Sequence, residues 1–190
     1  MRRRRFLMGL SAFISLKAIS KQQPALTEVF NFQDDGVIPN SKYPLIIYRK
    51  AFSETGSKGA SWLEEKFAKN NWSNSWRNGV YPFHHYHSIS HEVLGIYSGS
   101  ATLHLGGEKG EKLKVNAGDI LVIPAGVGHK NLGNDQLFGV VGAYPNGHEW
   151  DLLKGEPGER PLADKHIAAV PFPDTDPLLG NAGGLLKTWK

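Results

Sequence analysis

With 190 residues, 40% hydrophobic and 21% charged, the chain is long enough for one domain with a proper core and has the composition of a soluble globular protein. It has no cysteine, which excludes disulfides and thiolate ligands, so any metal has to rest on His, Asp or Glu. The net charge of +4 arises at the N-terminus: without Arg2, Arg3, Arg4, Arg5, Lys17 and Lys21, 16 basic residues face 18 acidic ones, a net of −2, with no Lys/Arg stripe for nucleic acid.

Residues 1–20 have the layout of an export signal. Arg2 to Arg5 form a charged n-region, Phe6 to Leu16 an eleven-residue uncharged run, and Ala18-Ile19-Ser20 a small-x-small cleavage site. The run is too short to span a bilayer, so no stable membrane insertion is expected. Arg3 to Leu7 resembles a twin-arginine signal. The expected destination is the periplasm or the exterior; the alternative is a cytoplasmic protein with a basic N-terminus.

Thr27–Phe32 alternates and predicts a strand, Asp34-Asp35-Gly36 a turn, and Tyr43–Lys50 a second strand with Pro44 at its start or on an edge. Ser61 and Glu64 have capping-box spacing, and Trp62, Leu63 and Phe67 share one face. This predicts a helix over 61–69 that Asn70 and Asn71 end. Trp72 to Arg77 lead into a His-rich stretch. Beyond it, Ala101–Leu105, Lys112–Val115, Ile120–Ile123 and Leu137–Ala143 read as strands, with a turn at Gly106-Gly107. Short strands with Gly turns and one helix predict an all-β fold, a small sandwich or barrel, over 24–144. Residues 145–190 are expected to form a loop-rich extension packed on it, with a short helix near 163–170 and an edge strand near 184–189. His104 is expected at the surface, and His84 and His91 are expected to point away from the site. Exposed sheet edges suggest a homodimer.

Two stretches carry the chemistry. In Gly79–Gly99, His85 and His87 sit two apart, so on extended backbone both imidazoles face one side. The segment Ser88–Ser90 can turn the chain to bring Glu92 in from a neighbouring strand. In Gly118–His129, an apolar strand runs into a Pro/Gly turn with a histidine just past it. Three neutral imidazoles and one carboxylate make a plausible shell for one divalent transition metal. Phe83 shares the face of His85, and Ile96 that of Glu92; both are expected to line a pocket or fill the core. Asp119 suits a turn cap.

These residues resemble the cupin superfamily. Gly79, His85, His87, Glu92 and Gly99 fall at the spacing of its first motif, and Gly118, Pro124, Gly126 and His129 at that of its second. The second motif usually ends in Asn, where this chain has Gly133 between Asn131 and Asn134. The tail, from Asp151 through Glu159-Arg160-Pro161 to Pro177, is similar to the YjlB-like branch of bacterial cupins. The resemblance implies a cupin-type β-barrel (jelly roll, or double-stranded β-helix). It also implies one ion of Mn, Fe, Ni, Cu or Zn on His85, His87, Glu92 and His129. The expected activity is that of an oxygenase-like oxidoreductase on a small anionic organic acid or enol. The alternatives are a non-redox metal isomerase or cyclase, and a sensor that binds a small ligand without catalysis. No catalytic side chain and no organic cofactor is assigned.

Overall fold

The structure, a computed structural model, describes residues 26–190; the export segment expected over 1–20 lies outside the described residues. Nine strands and three helices follow in order: β1 (Leu26–Phe30), β2 (Leu45–Arg49), α1 (Gly56–Lys69), β3 (Trp72–Asn78), β4 (Glu92–Ser98), β5 (Ser100–Leu105), β6 (Glu111–Asn116), β7 (Ile120–Ile123), β8 (His129–Asn134), β9 (Gly139–Pro145), α2 (Leu162–Ala169) and α3 (Leu185–Thr188). They form a six-stranded antiparallel sheet, β1-β2-β7-β4-β9-β3, facing a three-stranded one, β6-β5-β8. This is the all-β cupin-type architecture.

The larger sheet is buried on both faces, which explains why β2, β7 and β9 are unbroken apolar runs rather than alternating ones. One face packs on the smaller sheet through Leu45, Ile47, Leu94, Ile96, Leu121 and Val140, against Ala101, Leu103, Leu105 and Val115. The other carries Ile46, Tyr48, Val93, Ile120, Val122, Val141 and Ala143 under α1 and the chain end, with Leu63, Phe67, Leu178, Leu185 and Trp189. Strand parity therefore splits neighbours: Leu121 lies between the sheets and Val122 lies under α1. Gly95 lets α1 approach β4, since a Cβ there would overlap the methyls of Leu63.

Helix α1 begins five residues earlier than the capping box suggested. Thr55 is its N-cap without a side-chain bond, and Ser61 lies inside the helix, where its hydroxyl accepts a hydrogen bond from Arg77. Asn70 caps the C-terminus as expected. Residues 72–78, expected only as a lead-in, form edge strand β3. The chain end is the one-turn helix α3 and not an edge strand, because Asp176 and Gly184 turn it back onto Tyr48. Asp119 does cap its turn, accepting from Asn116 N and Lys50 N, and it also pairs with Arg49 at 2.9 Å.

Candidate metal centre

The His-rich stretch before β4 runs extended along the mouth of the sandwich. His85 pairs with His129 at the start of β8 through reciprocal main-chain bonds of 3.2 and 2.9 Å. Glu92 opens β4, beside Ile123 of β7. The turn after Pro124 is pinned back onto the first stretch by the bond from Gly126 N to His87 O, 2.8 Å. The side chains of His85, His87 and His129 are all buried, and their ligand atoms lie within 4.8 Å of one another.

Each imidazole spends its Nδ1 on a main-chain carbonyl. His85 uses Phe83 O at 3.2 Å, His129 uses Val127 O at 3.1 Å, and His87 uses Asp151 O. A ring that donates from Nδ1 keeps a lone pair on Nε2. Glu92 reaches two of the three: its Oε2 lies 3.2 Å from His129 Nε2 and 3.5 Å from His87 Nε2. Neither contact has hydrogen-bond alignment, and this buried oxygen is left without a partner. Its other oxygen accepts from Tyr144 OH at 3.0 Å, and Tyr144 in turn accepts from Trp76 Nε1 at 2.8 Å. Gly142 makes room for that chain, because a Cβ there would overlap the Trp76 indole.

Burial and the neighbouring His129 and His87 rings push His85 down to about 2, so it stays neutral at any ordinary pH. His87 goes the other way: burial opposes its charge, but the Glu92 carboxylate outweighs burial and raises it. Burial would raise Glu92, yet the facing His87 and His129 hold it well below the usual carboxylate range. Burial and the adjacent Glu92 charge keep the Tyr144 phenol protonated, hence a donor.

These groups face a cavity of about 460 Å³, with Trp76, Val80, Tyr81, Leu94, Tyr144 and Trp150 on its walls. Ile96 is not on that wall; it is fully buried between the sheets. Phe83 faces a second hollow further along the surface. Two histidines that face away from the cavity are nonetheless buried, His104 against its expected place at the surface. His104 is buried because the ring of His84 covers it, at 4.8 Å between centroids. His91 is buried because the chain end folds Trp189 over it. Asp151, read from the sequence only as the start of the tail, supports the site. Its carbonyl orients His87, while its carboxylate accepts from Ser88 N at 2.6 Å and Ser88 Oγ at 2.5 Å. His166 is 3.3 Å from the same Oγ, but Ser88 is fully buried and donates to Asp151, so the three make a clamp and not a nucleophile.

The chain is 43% identical over 164 residues to the uncharacterised protein YjlB of Bacillus subtilis (strain 168), a match covering 86% of this chain and 96% of that protein. It belongs to the YjlB-like cupins. No family model matches it. Solved structures similar to this YjlB-like cupin include an acireductone dioxygenase from Bacillus anthracis with cadmium in its active centre. That pair has 15% identity, 46% of this chain, 60% of that one and a TM-score of 0.35. Another is an oxalate decarboxylase variant from Bacillus subtilis, at 18% identity, 62% of this chain, 29% of that one and a TM-score of 0.35. The second-motif departure is absorbed locally: Asn131 accepts from Gly133 N at 2.9 Å and donates to Asn134 Oδ1 at 2.8 Å.

Proposed function

We propose that this YjlB-like cupin is a metal-dependent oxidoreductase of oxygenase type. Its substrate is a small anionic organic acid or enol, met by one divalent transition-metal ion on His85, His87, Glu92 and His129. The observation that carries the reading is three ring Nε2 atoms and one unpartnered carboxylate oxygen converging on one cavity, with every opposite ring nitrogen tied to a carbonyl. Mixed imidazole and carboxylate donors suit Mn, Fe, Ni, Cu or Zn. A bound ion supplies Lewis acidity and, when redox-active, an electron route to dioxygen.

The rest falls to the protein. Among the described residues Glu92 is the only carboxylate on the cavity wall, so a divalent ion with this shell keeps a formal charge of about +1. Low local polarity strengthens that charge and selects an anion. The indoles of Trp76 and Trp150 and the side chain of Leu94 offer contact to an apolar body and exclude water. Tyr144 holds one oxygen of Glu92 and leaves the other facing the imidazoles.

The test is metal analysis followed by ligand titration. Protein prepared without chelator should carry transition metal that His85→Ala, His87→Ala and His129→Ala each remove. Small carboxylates and enols should then shift the metal spectrum or raise the Tm, and at least one binder should drive oxygen uptake. Anion binding without oxygen uptake, with any of the metals, would replace this reading with Lewis-acid catalysis or ligand sensing.

A further inference from the structure

A second cluster of ligating side chains lies outside the barrel mouth. His84 points away from His85, towards His104 on the outward face of β5, and Glu108 overhangs both from the β5–β6 turn. The ligand atoms of these three residues lie within 4.8 Å of one another. His104 is 98% buried, with 2% exposure, yet its Nε2 has no hydrogen-bond partner. Neither nitrogen of His84 has one either, although its Nε2 lies 3.2 Å from Glu108 Oε1. Buried ring nitrogens normally find partners, and one left bare is destabilising. Here each of the two rings brings one nitrogen to a spot beside the exposed carboxylate of Glu108.

From this cluster we infer a second metal site, formed by His84, His104 and Glu108, that takes a zinc-class divalent ion and exchanges it with solvent. Two imidazoles select a borderline metal over calcium or magnesium, and three protein ligands leave a position for water. The hollow around the site is charge-balanced, with Asp35, Glu108 and Glu156 against Lys109, Lys130 and Lys154, so no strong positive field repels a cation. Lys130, which pairs across the strands with His104, is drawn to Glu108 at 3.8 Å and competes with the ion. The outer site is therefore the weaker of the two. An ion there would tie the segment that carries His85 to β5 from behind.

The experiment is a cobalt titration of the metal-stripped full chain, followed by visible absorption and by competition with a chromophoric chelator. Two phases are expected. Glu108→Gln lies on an exposed side chain and leaves the fold intact; it should weaken the second phase by roughly tenfold or more without moving the first. His84→Asn should remove the second phase. A single phase that Glu108→Gln and His84→Asn leave unchanged overturns the inference, as does a second phase indifferent to both variants. Should the barrel mouth bind no cobalt, a lone phase sensitive to Glu108→Gln still supports the outer site, so the two readings fail separately.

Discussion

A histidine can give a metal only the nitrogen that it has not used elsewhere, and in the barrel mouth that choice is made three times by main-chain carbonyls. The carboxylate is fixed in the same way by Tyr144. Tyr144→Phe should keep the fold and lower metal affinity about 10–100-fold, read by chelator competition. Protons compete for the same site. His85 is neutral throughout, whereas the Glu92 charge raises the proton affinity of His87 in the metal-free protein. Metal binding must expel any proton that His87 carries, so affinity should fall about tenfold per pH unit below the raised His87 value. Calorimetry below that value, in buffers of different ionisation enthalpy, should find one proton released. In the metal-free protein the raised His87 adds stability that is full below the usual imidazole value of about 6.5 and is lost as pH rises through the folded one. His91 behaves oppositely. Its Nδ1 accepts from Ala125 N at 2.9 Å, and burial pushes it down to about 4. The unfolded chain binds that proton first, so stability should fall as pH drops from about 6.5 towards 4, by up to about 3 kcal/mol. Urea melts of wild type and His91→Gln across that window check the slope.

The elements that hold the site differ in how plainly the sequence shows them. The four barrel-mouth side chains could be found from spacing, because extended backbone and a Pro/Gly turn impose their geometry locally. Strands β2, β7 and β9 were equally readable from apolar runs and glycine punctuation. Helix α1 was visible in Leu63 and Phe67, but its start was not, since Thr55 makes no side-chain cap and Gly56, Gly59 and Ala60 carry no periodic signal. The burial of His91 and His104 is a tertiary event: Trp189 and His84 cover them from elsewhere in the chain, and strand parity is blind to that. The role of Asp151 was hidden for the same reason, since its partner is 64 residues away. The α1–β4 contact is checked by Gly95→Val. The added side chain meets Leu63, and the overpacked interface should lose about 1–3 kcal/mol in a denaturant melt.

At the scale of the whole molecule, the last quarter of the chain is a fastener. Leu153 pairs with Tyr86 at 2.8 and 3.0 Å, and Tyr86 OH donates to Glu159 at 2.9 Å. Asp176, fully buried, accepts from Tyr48 OH at 2.5 Å, from Leu178 N and Leu179 N at 2.8 Å each, and from Leu185 N at 2.9 Å. Asp176→Ala strands those donors and should cost more than about 3 kcal/mol, whereas Asp174→Ala, on the surface, should stay within about 0.5 kcal/mol. The tail also imposes a timetable. A ribosome makes the four barrel-mouth residues first and the carbonyl of Asp151 later, with Asp176 later still. While the nascent chain ends short of residue 151, His87 has no acceptor for its Nδ1, and the donor set exists without its orientation. Uptake of an ion by an oriented site would therefore follow synthesis of the tail. If the N-terminal arginines direct export of the folded protein, as proposed from their pattern, that leaves loading to the compartment where the protein is made and not the one where it works.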